Sequence, residues 1–402
     1  MSLGADRSYK MKLRDVENAF KYRRIPYPKR SVELIALLAI SCTFFLFMHT
    51  NKLNSRLKEM EVKLQPSEFS ALGLTGNHVS GHDAGKHDDI NTLHGTYQYL
   101  KSTGQLEELD AARLNNTPKA EREFVLFNRI EKTGSQSMTH LIKELGNQNG
   151  FDTFRNVIQP KRSIVDSFVE EREFVHQLME LSEPSAYVEH TNWVNFTAHD
   201  MPRPIYMNLV RHPIEKVISA YYYMRHPKFA AQSVRRNPRK KIQDKTYYDM
   251  TFNECVKQRI APHCVFDAHN PFNGDWRRFN LHLCGNAAIC KQLNSEATMQ
   301  MAKRNVEQEY AVVGTWEQTN VTLAVLEAYI PRFFAGAAKV YYSQPQTFTR
   351  NTTPHNNSLD EDVERYLKDS FKFELELYQF VMQRLYMQYI AINKQRFADI
   401  HI

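Results

Sequence analysis

No G-x-x-x-x-G-K-[ST] run occurs anywhere in this chain, and no two of its five cysteines stand in C-x2–4-C spacing. The first absence removes the usual ATP-type phosphate loop and, with it, the motif expected of a P-loop kinase. The second speaks against a structural zinc site, which needs closely spaced thiolates. No internal repeat of useful length is present, and no low-complexity tract lies outside the Gly-, His-, Ser- and Asp-rich stretch before residue 92. Solenoid and fibrous architectures are thereby excluded. No small-x-small cleavage site follows the apolar run near the N-terminus, so a removed signal peptide is the weaker of two readings of that run.

The run itself, Val32–Met48, is about long enough to span a bilayer. Lys10, Lys12, Arg14, Lys21, Arg23, Arg24, Lys29 and Arg30 precede it, and the positive-inside rule then leaves the N-terminus in the cytosol. The expected layout is a basic cytosolic tail at 1–30, a signal anchor at 31–48, a lumenal stem at 49–120 and a lumenal domain at 121–402. In the stem, Leu53, Leu57, Met60 and Leu64 share one helical face that suits pairing of two or three chains, so a homo-oligomer, a dimer or a trimer, is expected. Pro66–Asn91 reads as a flexible linker, and His78, His82 and His87 within it form no preorganised ligand set.

Chemistry begins at Phe124-Val-Leu-Phe-Asn-Arg-Ile-Glu-Lys-Thr-Gly-Ser-Gln-Ser, an apolar strand that breaks into a Lys-Thr-Gly-Ser turn and resumes with helical spacing. Helix starts present unpaired N–H groups and partial positive charge, which suits a phosphate. Lys132 adds a full charge, Thr133, Ser135 and Ser137 add hydroxyls, and Gly134 permits positive φ. Leu141, Ile142 and Leu145 give the helix an apolar stripe expected to end at Gly146. A second unit repeats the arrangement. The β-rich run Pro204–Val210 leads through Arg211-His212-Pro213 into a helix carrying Ser219, so Arg211 falls at the carboxyl end of a strand, where open α/β sheets bind ligands. With Tyr310–Gly314 as a further strand, Val321–Ile330 as its helix, and one or two long amphipathic helices in Leu359–Phe397, the pattern predicts a parallel sheet with helices on both faces.

The pair Lys-Thr-x-Ser and strand-Arg-x-Pro-helix-Ser resembles the 5′- and 3′-phosphate motifs of sulfotransferases that use 3′-phosphoadenosine 5′-phosphosulfate (PAPS). Asn128–Thr133, Asn208–Lys216, Thr251–Val256, Leu283-Cys-Gly, Val313–Glu317 and Ile330–Gly336 extend the likeness, from about Phe124 to the C-terminus, to the heparan sulfate and uronyl 2-O-sulfotransferase family. The resemblance implies the PAPS-sulfotransferase fold, P-loop-like, and a Golgi membrane enzyme of single-pass type II topology with no metal requirement. Residues Lys132–Ser137, Gln136 included, would cradle the 5′-phosphate, with Lys132 also stabilising the leaving oxygen. Arg211 and Ser219 would hold the 3′-phosphate, and Tyr341, Thr347 and Thr352 would line the nucleotide. Arg129 and Arg236 match acceptor-contacting arginines.

The family places its base in a His-Gly-His segment between the two phosphate motifs. The corresponding Tyr187–Trp193 keeps only the second histidine, His190, which inherits the role of base; Val188 stands at the first, and Glu189 either orients the imidazole or acts on its own. Two further departures are His212, where relatives often have Asp, and His355, where a lysine is expected after Arg350–Thr353. Cys42 lies in the apolar run, leaving four lumenal cysteines with three possible pairings. Sequence spacing favours Cys255–Cys264 and Cys284–Cys290, and the family's two local disulfides fall the same way. Sequons at Asn115, Asn195, Asn320, Asn351 and Asn356 suit a glycosylated lumenal face.

The net charge of +7 and the cluster Arg235–Lys241, expected in a loop, fit an anionic glycan acceptor and no nucleic acid. The function that follows is PAPS-dependent transfer of sulfate to the 2-hydroxyl of a hexuronic acid or related sugar in a glycosaminoglycan or glycoprotein glycan. The alternative is a catalytically weak or inert relative that binds nucleotide and anionic glycan.

Overall fold

Long-range burial, more than local propensity, arranges this chain. The computed structural model describes residues 91–155, 157–158, 168–239, 243–260, 263–266, 278–344, 347–348 and 358–399. The basic tail, the apolar run at 31–48, the Leu53–Leu64 stripe and His78, His82 and His87 lie outside the described residues, as do Arg350–Thr353, Asn351, Thr352, His355 and Asn356. Among the described residues no single helix is long and apolar enough to cross a membrane.

In chain order the principal elements are α1 (Leu93–Ser102), β1 (Phe124–Asn128), α2 (Ser135–Asn149), β2 (Asp152–Phe154), α3 (Phe168–Met179), β3 (Ser185–Glu189), β4 (Ile205–Val210), α4 (Pro213–Arg225), α5 (Pro227–Arg236), α6 (Phe252–Lys257), α7 (Asn280–Cys284), α8 (Glu296–Gln308), β5 (Tyr310–Thr315), α9 (Thr319–Tyr329), α10 (Ala337–Ser343), α11 (Glu361–Ser370) and α12 (Lys372–Ile392). The five strands form one sheet in the order β2-β3-β1-β4-β5, every pairing parallel, as the alternation of strands and helices predicts. Every residue of β1, β4 and β5 is buried. Side chains alternate across the sheet: Val125 and Phe127 pack with Met138, Leu141 and Leu326 on one face, while Phe124 and Leu126 pack with Phe174, Leu178 and Val306 on the other.

One buried polar side chain ties the strands together. The Asn128 side chain accepts from the Tyr310 hydroxyl at 3.0 Å and from Asn208 Nδ2 at 2.9 Å, and donates to the His282 carbonyl at 3.0 Å. Three parallel strands and the start of α7 therefore share one buried amide.

The helices differ from the sequence expectation in three places. Gly146 does not end α2; the helix runs to Asn149 and closes on Gly150, whose φ of 67° is left-handed and whose N–H donates to the Gly146 carbonyl. Gly146 is small for another reason, since a Cβ there would stand 2.9 Å from the Phe151 carbonyl oxygen. The cluster Arg235–Lys241 does not lie wholly in a loop, because Arg235 and Arg236 form the last turn of α5. Finally, α1 buries Tyr97 and Leu100 against Ile390 of α12, and Asn116 donates to the Tyr310 and Glu307 carbonyls. The packed domain thus reaches back to Leu93, inside the segment 49–120 read as stem.

Both expected disulfides are present, Cys255–Cys264 joining the end of α6 to the following turn and Cys284–Cys290 closing the loop after α7. Loops this short give each bridge about 2–3 kcal/mol on the chain-entropy account.

Replacing Asn128 by Ala removes three side-chain hydrogen bonds from a buried site. Asn128→Ala is expected to lower the unfolding free energy by about 2–4 kcal/mol, read from the urea midpoint at unchanged slope.

Candidate active site

From β1 the chain leaves toward β2 on one side of the sheet, and from the neighbouring β4 it leaves toward β5 on the other. Diverging connections open a crevice at the carboxyl ends of β1 and β4, which is where open α/β sheets take ligands. The phosphate loop follows β1 and Arg211 follows β4, so the two anion motifs flank that crevice. His190 follows β3 and Trp316 follows β5.

The loop between β1 and α2 is held in an unusual backbone shape. Lys132 has φ of 64° and Gly134 has φ of 80°, both left-handed, and a non-glycine residue there costs energy that its surroundings must offset. The hydroxyls expected to face a phosphate instead tie the loop down: Thr133 Oγ1 and Ser135 Oγ both donate to the Ile130 carbonyl, at 3.0 and 2.9 Å, and Ser137 Oγ donates to the Phe348 carbonyl at 2.9 Å. No side chain caps the N-terminus of α2. The Ser137 amide donates to the Gly134 carbonyl at 3.0 Å, which leaves the Ser135 and Gln136 amides of the first turn for a ligand, and the cradle is made of backbone more than of hydroxyls. Gln136 is exposed in this turn and its side-chain oxygen accepts from Arg129 Nη2 at 3.3 Å.

Lys132 lies with its ammonium 4.0 Å from the centre of the Tyr223 ring. Burial, and then the charge of Arg211, lower its pKa to about 8. Arg211 is thus near enough for its charge to act on Lys132, which brings the two anion motifs within electrostatic reach of each other. Arg211 reaches Glu215 at 3.5 Å, one turn into α4, and Ser219 is buried two turns along the same helix. Tyr223 also meets Phe229 of α5, ring centres 4.9 Å apart, so the helix that ends in exposed Arg236 packs one aromatic contact from Lys132.

Trp316, inside the Val313–Glu317 motif, closes the other side. Its indole N–H donates to the Gly134 carbonyl at 2.9 Å, and its ring stacks on Tyr341 at 5.1 Å. Tyr341 meets Phe348 at 4.7 Å, and Phe348 follows exposed Thr347. Tyr341 and Thr347 thus stand beside the phosphate loop, while Thr352 is outside the described residues. Glu317 accepts from the His212 amide at 3.1 Å and from the Tyr378 hydroxyl, which fixes the backbone next to Arg211.

On the β3 side, Nδ1 of His190 lies 3.1 Å from the Arg129 carbonyl. A carbonyl only accepts, so Nδ1 carries the proton and Nε2 is the basic nitrogen. Burial holds the imidazole below its ordinary value near 6.5, opposed by the Glu131 carboxylate and reinforced by the Arg129 cation. A neutral His190 is therefore available at neutral pH. Glu189 accepts from the His190 backbone N–H at 2.8 Å. The carboxylate nearest the imidazole belongs instead to Glu131, 3.7 Å from Nδ1, a residue that the sequence reading did not single out. Val188 faces the apolar core.

Arg129 is buried, and burial lowers its pKa to about 10, with nearby Arg155 acting in the same direction. Its Nε and Nη1 have no hydrogen-bond partner among the described residues. A largely dehydrated guanidinium with open donors is suited to a carboxylate or sulfate. Of the sequons, Asn195 caps a short turn through its own side-chain oxygen, and Asn320 accepts from the Tyr342 hydroxyl.

Residues 117–381 match the sulfotransferase family. The chain is 45% identical to the uronyl 2-sulfotransferase homolog pip of Drosophila melanogaster, over 99% of this chain and 97% of that protein. It is 28% identical to human heparan sulfate 2-O-sulfotransferase 1, over 75% and 82% of the two chains, and 29% identical to the Xenopus laevis protein of the same name, over 69% and 74%.

A methyl group on Gly134 meets two obstacles, the left-handed φ and the Trp316 ring, whose Cδ1 would stand 2.1 Å from it. Gly134→Ala is expected to weaken binding of adenosine 3′,5′-bisphosphate by more than about ten-fold while circular dichroism stays that of the parent, as calorimetry will show.

Proposed function

The chain belongs to the sulfotransferase family, and on that premise we propose that it transfers the sulfuryl group of PAPS to the 2-hydroxyl of a hexuronic acid, or a related sugar, in an anionic glycan. The observation that carries the reading is the gathering of Lys132, Arg211 and His190 at the carboxyl ends of adjacent strands, two cations for the donor and one neutral imidazole for the acceptor.

PAPS supplies a sulfur atom bonded to a phosphate oxygen that takes up negative charge as the bond breaks. The first-turn amides of α2 suit the 5′-phosphate, and Arg211, with Ser219 behind it, suits the 3′-phosphate. The Lys132 ammonium stands beside the loop where the departing oxygen would lie and compensates its charge. Nε2 of His190 takes the proton of the attacking hydroxyl while Nδ1–H remains on the Arg129 carbonyl, which keeps the ring in one tautomer. Arg129, with Arg155 near it, would receive the carboxylate of the acceptor sugar. The balance closes: the sulfur–oxygen bond to the donor breaks as that to the acceptor forms, and the hydroxyl proton ends on His190.

The names of the relatives, a uronyl 2-sulfotransferase homolog and heparan sulfate 2-O-sulfotransferases, support the position sulfated and a glycosaminoglycan or similar glycan as acceptor. A type II anchor at 31–48, a Golgi lumenal domain, a homo-oligomer and glycosylation at some of the sequons complete the proposal, on the strength of the sequence.

The direct test is transfer of radiolabel from PAPS by the full-length chain to a panel of desulfated glycosaminoglycans and secreted glycoproteins. Labelling of one acceptor class is expected, reduced at least about a hundred-fold by Lys132→Ala and by His190→Ala. Binding of adenosine 3′,5′-bisphosphate with no transfer to any acceptor would favour a nucleotide-binding relative without turnover. The pH profile gives a second check. His190 must be unprotonated and its pKa is depressed, so kcat/KM is expected to hold as pH falls to 6.5 and to drop only below that. Lys132 must be protonated, so kcat/KM is expected to fall as pH rises through about 8.

A further inference from the structure

Behind His190 lies a set of charged groups that nucleotide and acceptor binding leave without a task. Glu131 projects from the turn between β1 and the phosphate loop, with Oε1 3.7 Å from His190 Nδ1 and Oε2 3.8 Å from Nε2 of His282 in α7. One carboxylate is thus placed between two imidazoles from separate parts of the chain. Oε2 is buried and makes no hydrogen bond within the usual limits among the described residues. His282 is itself buried, and its other nitrogen, Nδ1, lies 3.4 Å from the carbonyl of Thr191, the residue that follows His190. Both ring nitrogens of His282 therefore face acceptors; a neutral ring donates to only one of them, and the Glu131 carboxylate favours the protonated ring that donates to both.

We propose that Glu131 is the positioning residue for the His190 base, offsetting the positive charge that the ring acquires when it takes the acceptor proton, and that His282 holds Glu131 in place for that task. The inference rests on His190 being the base. It also accounts for Val188: with no histidine at the first position of the His-x-His segment, the second imidazole comes from α7 instead.

The charges around the pair support this arrangement. Glu131 feels His282, His190 and the buried Lys216 of α4, and these outweigh its burial, so its carboxyl stays below the ordinary carboxylate range and remains ionised. His190 feels Glu131, Arg129 and Glu189, while His282 is held below its ordinary value by burial and by Lys216, against the pull of Glu131. Glu131 is the largest influence favouring the protonated form of both imidazoles. A carboxylate in that position helps most in the transition state, when His190 gains charge, and contributes little to nucleotide binding.

The test compares the full-length chain with Glu131→Gln, Glu131→Asp and His282→Gln. His190 is followed by NMR of histidine-labelled protein, its ring signal assigned by its loss in His190→Gln, and sulfate transfer is followed in parallel. In Glu131→Gln the His190 midpoint is expected to move to lower pH and kcat to fall about ten- to a hundred-fold, with KM for PAPS within two-fold of the parent. Glu131→Asp is expected to restore part of both, and His282→Gln to shift both in the same direction by less. An unchanged His190 midpoint and an unchanged kcat in Glu131→Gln overturn the proposal, as does a loss of thermal stability without movement of the midpoint. If the parent transfers no sulfate, the sulfotransferase reading falls, and the midpoint comparison still decides whether Glu131 governs His190.

Discussion

The Asn128 side chain is the point on which the geometry of the site depends. It ends β1, where the carboxyl ends of three strands must sit level if the loops beyond them are to face one crevice. By accepting from Tyr310 and Asn208 and donating to the His282 carbonyl, it sets β4 and β5 against β1 and draws α7 to the same place. The His282 carbonyl also accepts from the Trp193 amide at 2.8 Å, so the segment after β3 is hung from the same group. The apolar pattern of a buried sheet already specifies register, and a buried amide that is satisfied in one register only reinforces it.

From that anchor the site divides by charge. On the phosphate-loop side stand the cations Arg129, Lys132 and Arg211; burial, with Arg155 for Arg129 and Arg211 for Lys132, makes the first two easier to deprotonate and more receptive to an anion. Such a cluster is costly when empty, and binding a nucleotide with two phosphates relieves it. Left-handed Lys132 and the Gly134–Trp316 contact belong to the same logic: the loop is fixed in a strained shape beforehand, so less ordering is required when the ligand arrives.

The sheet, the phosphate loop and the strand-end arginine were legible in the sequence because their signals are local. The apolar run Phe124–Phe127 with Lys-Thr-Gly-Ser starting at Lys132, and the β-rich run Pro204–Val210 with Arg-His-Pro directly after it, each carry strand, break and helix start within a dozen positions. Gly146 misled because a helix interior accepts glycine where a neighbour crowds it, here the Phe151 carbonyl, and the left-handed stop came four residues later at Gly150. The three hydroxyls of the loop were identified as residues but not in direction, since whether a Ser or Thr faces a ligand or its own backbone depends on carbonyls such as Ile130 and Phe348 that no spacing reveals. Glu131 and His282 were illegible for a related reason: they are far apart in sequence, and only the closing of α7 onto β1 brings them together. Trp316 lay in a quoted motif, yet its contact with Gly134 spans 182 residues.

A site that moves a sulfuryl group must keep its base neutral while surrounding the donor with cations, and these demands conflict, because the same field that draws in the phosphates opposes protonation of the imidazole. Burial and Arg129 already depress His190, so an imidazole left alone with them would be a poor acceptor of the hydroxyl proton. A carboxylate on the Nδ1 side of the ring, away from the basic Nε2, resolves the conflict, provided that something other than the nucleotide's cations holds it. In this fold the holders are His282 and Lys216, reached through α7 and α4 rather than through the phosphate loop. The placement of Glu131 two residues after Arg129 and directly before Lys132 then has a physical reason: one tight turn presents a cation, a carboxylate and a second cation, the groups proposed for acceptor, base and leaving oxygen, in three different directions, which an extended strand, with its two-fold alternation, does not allow.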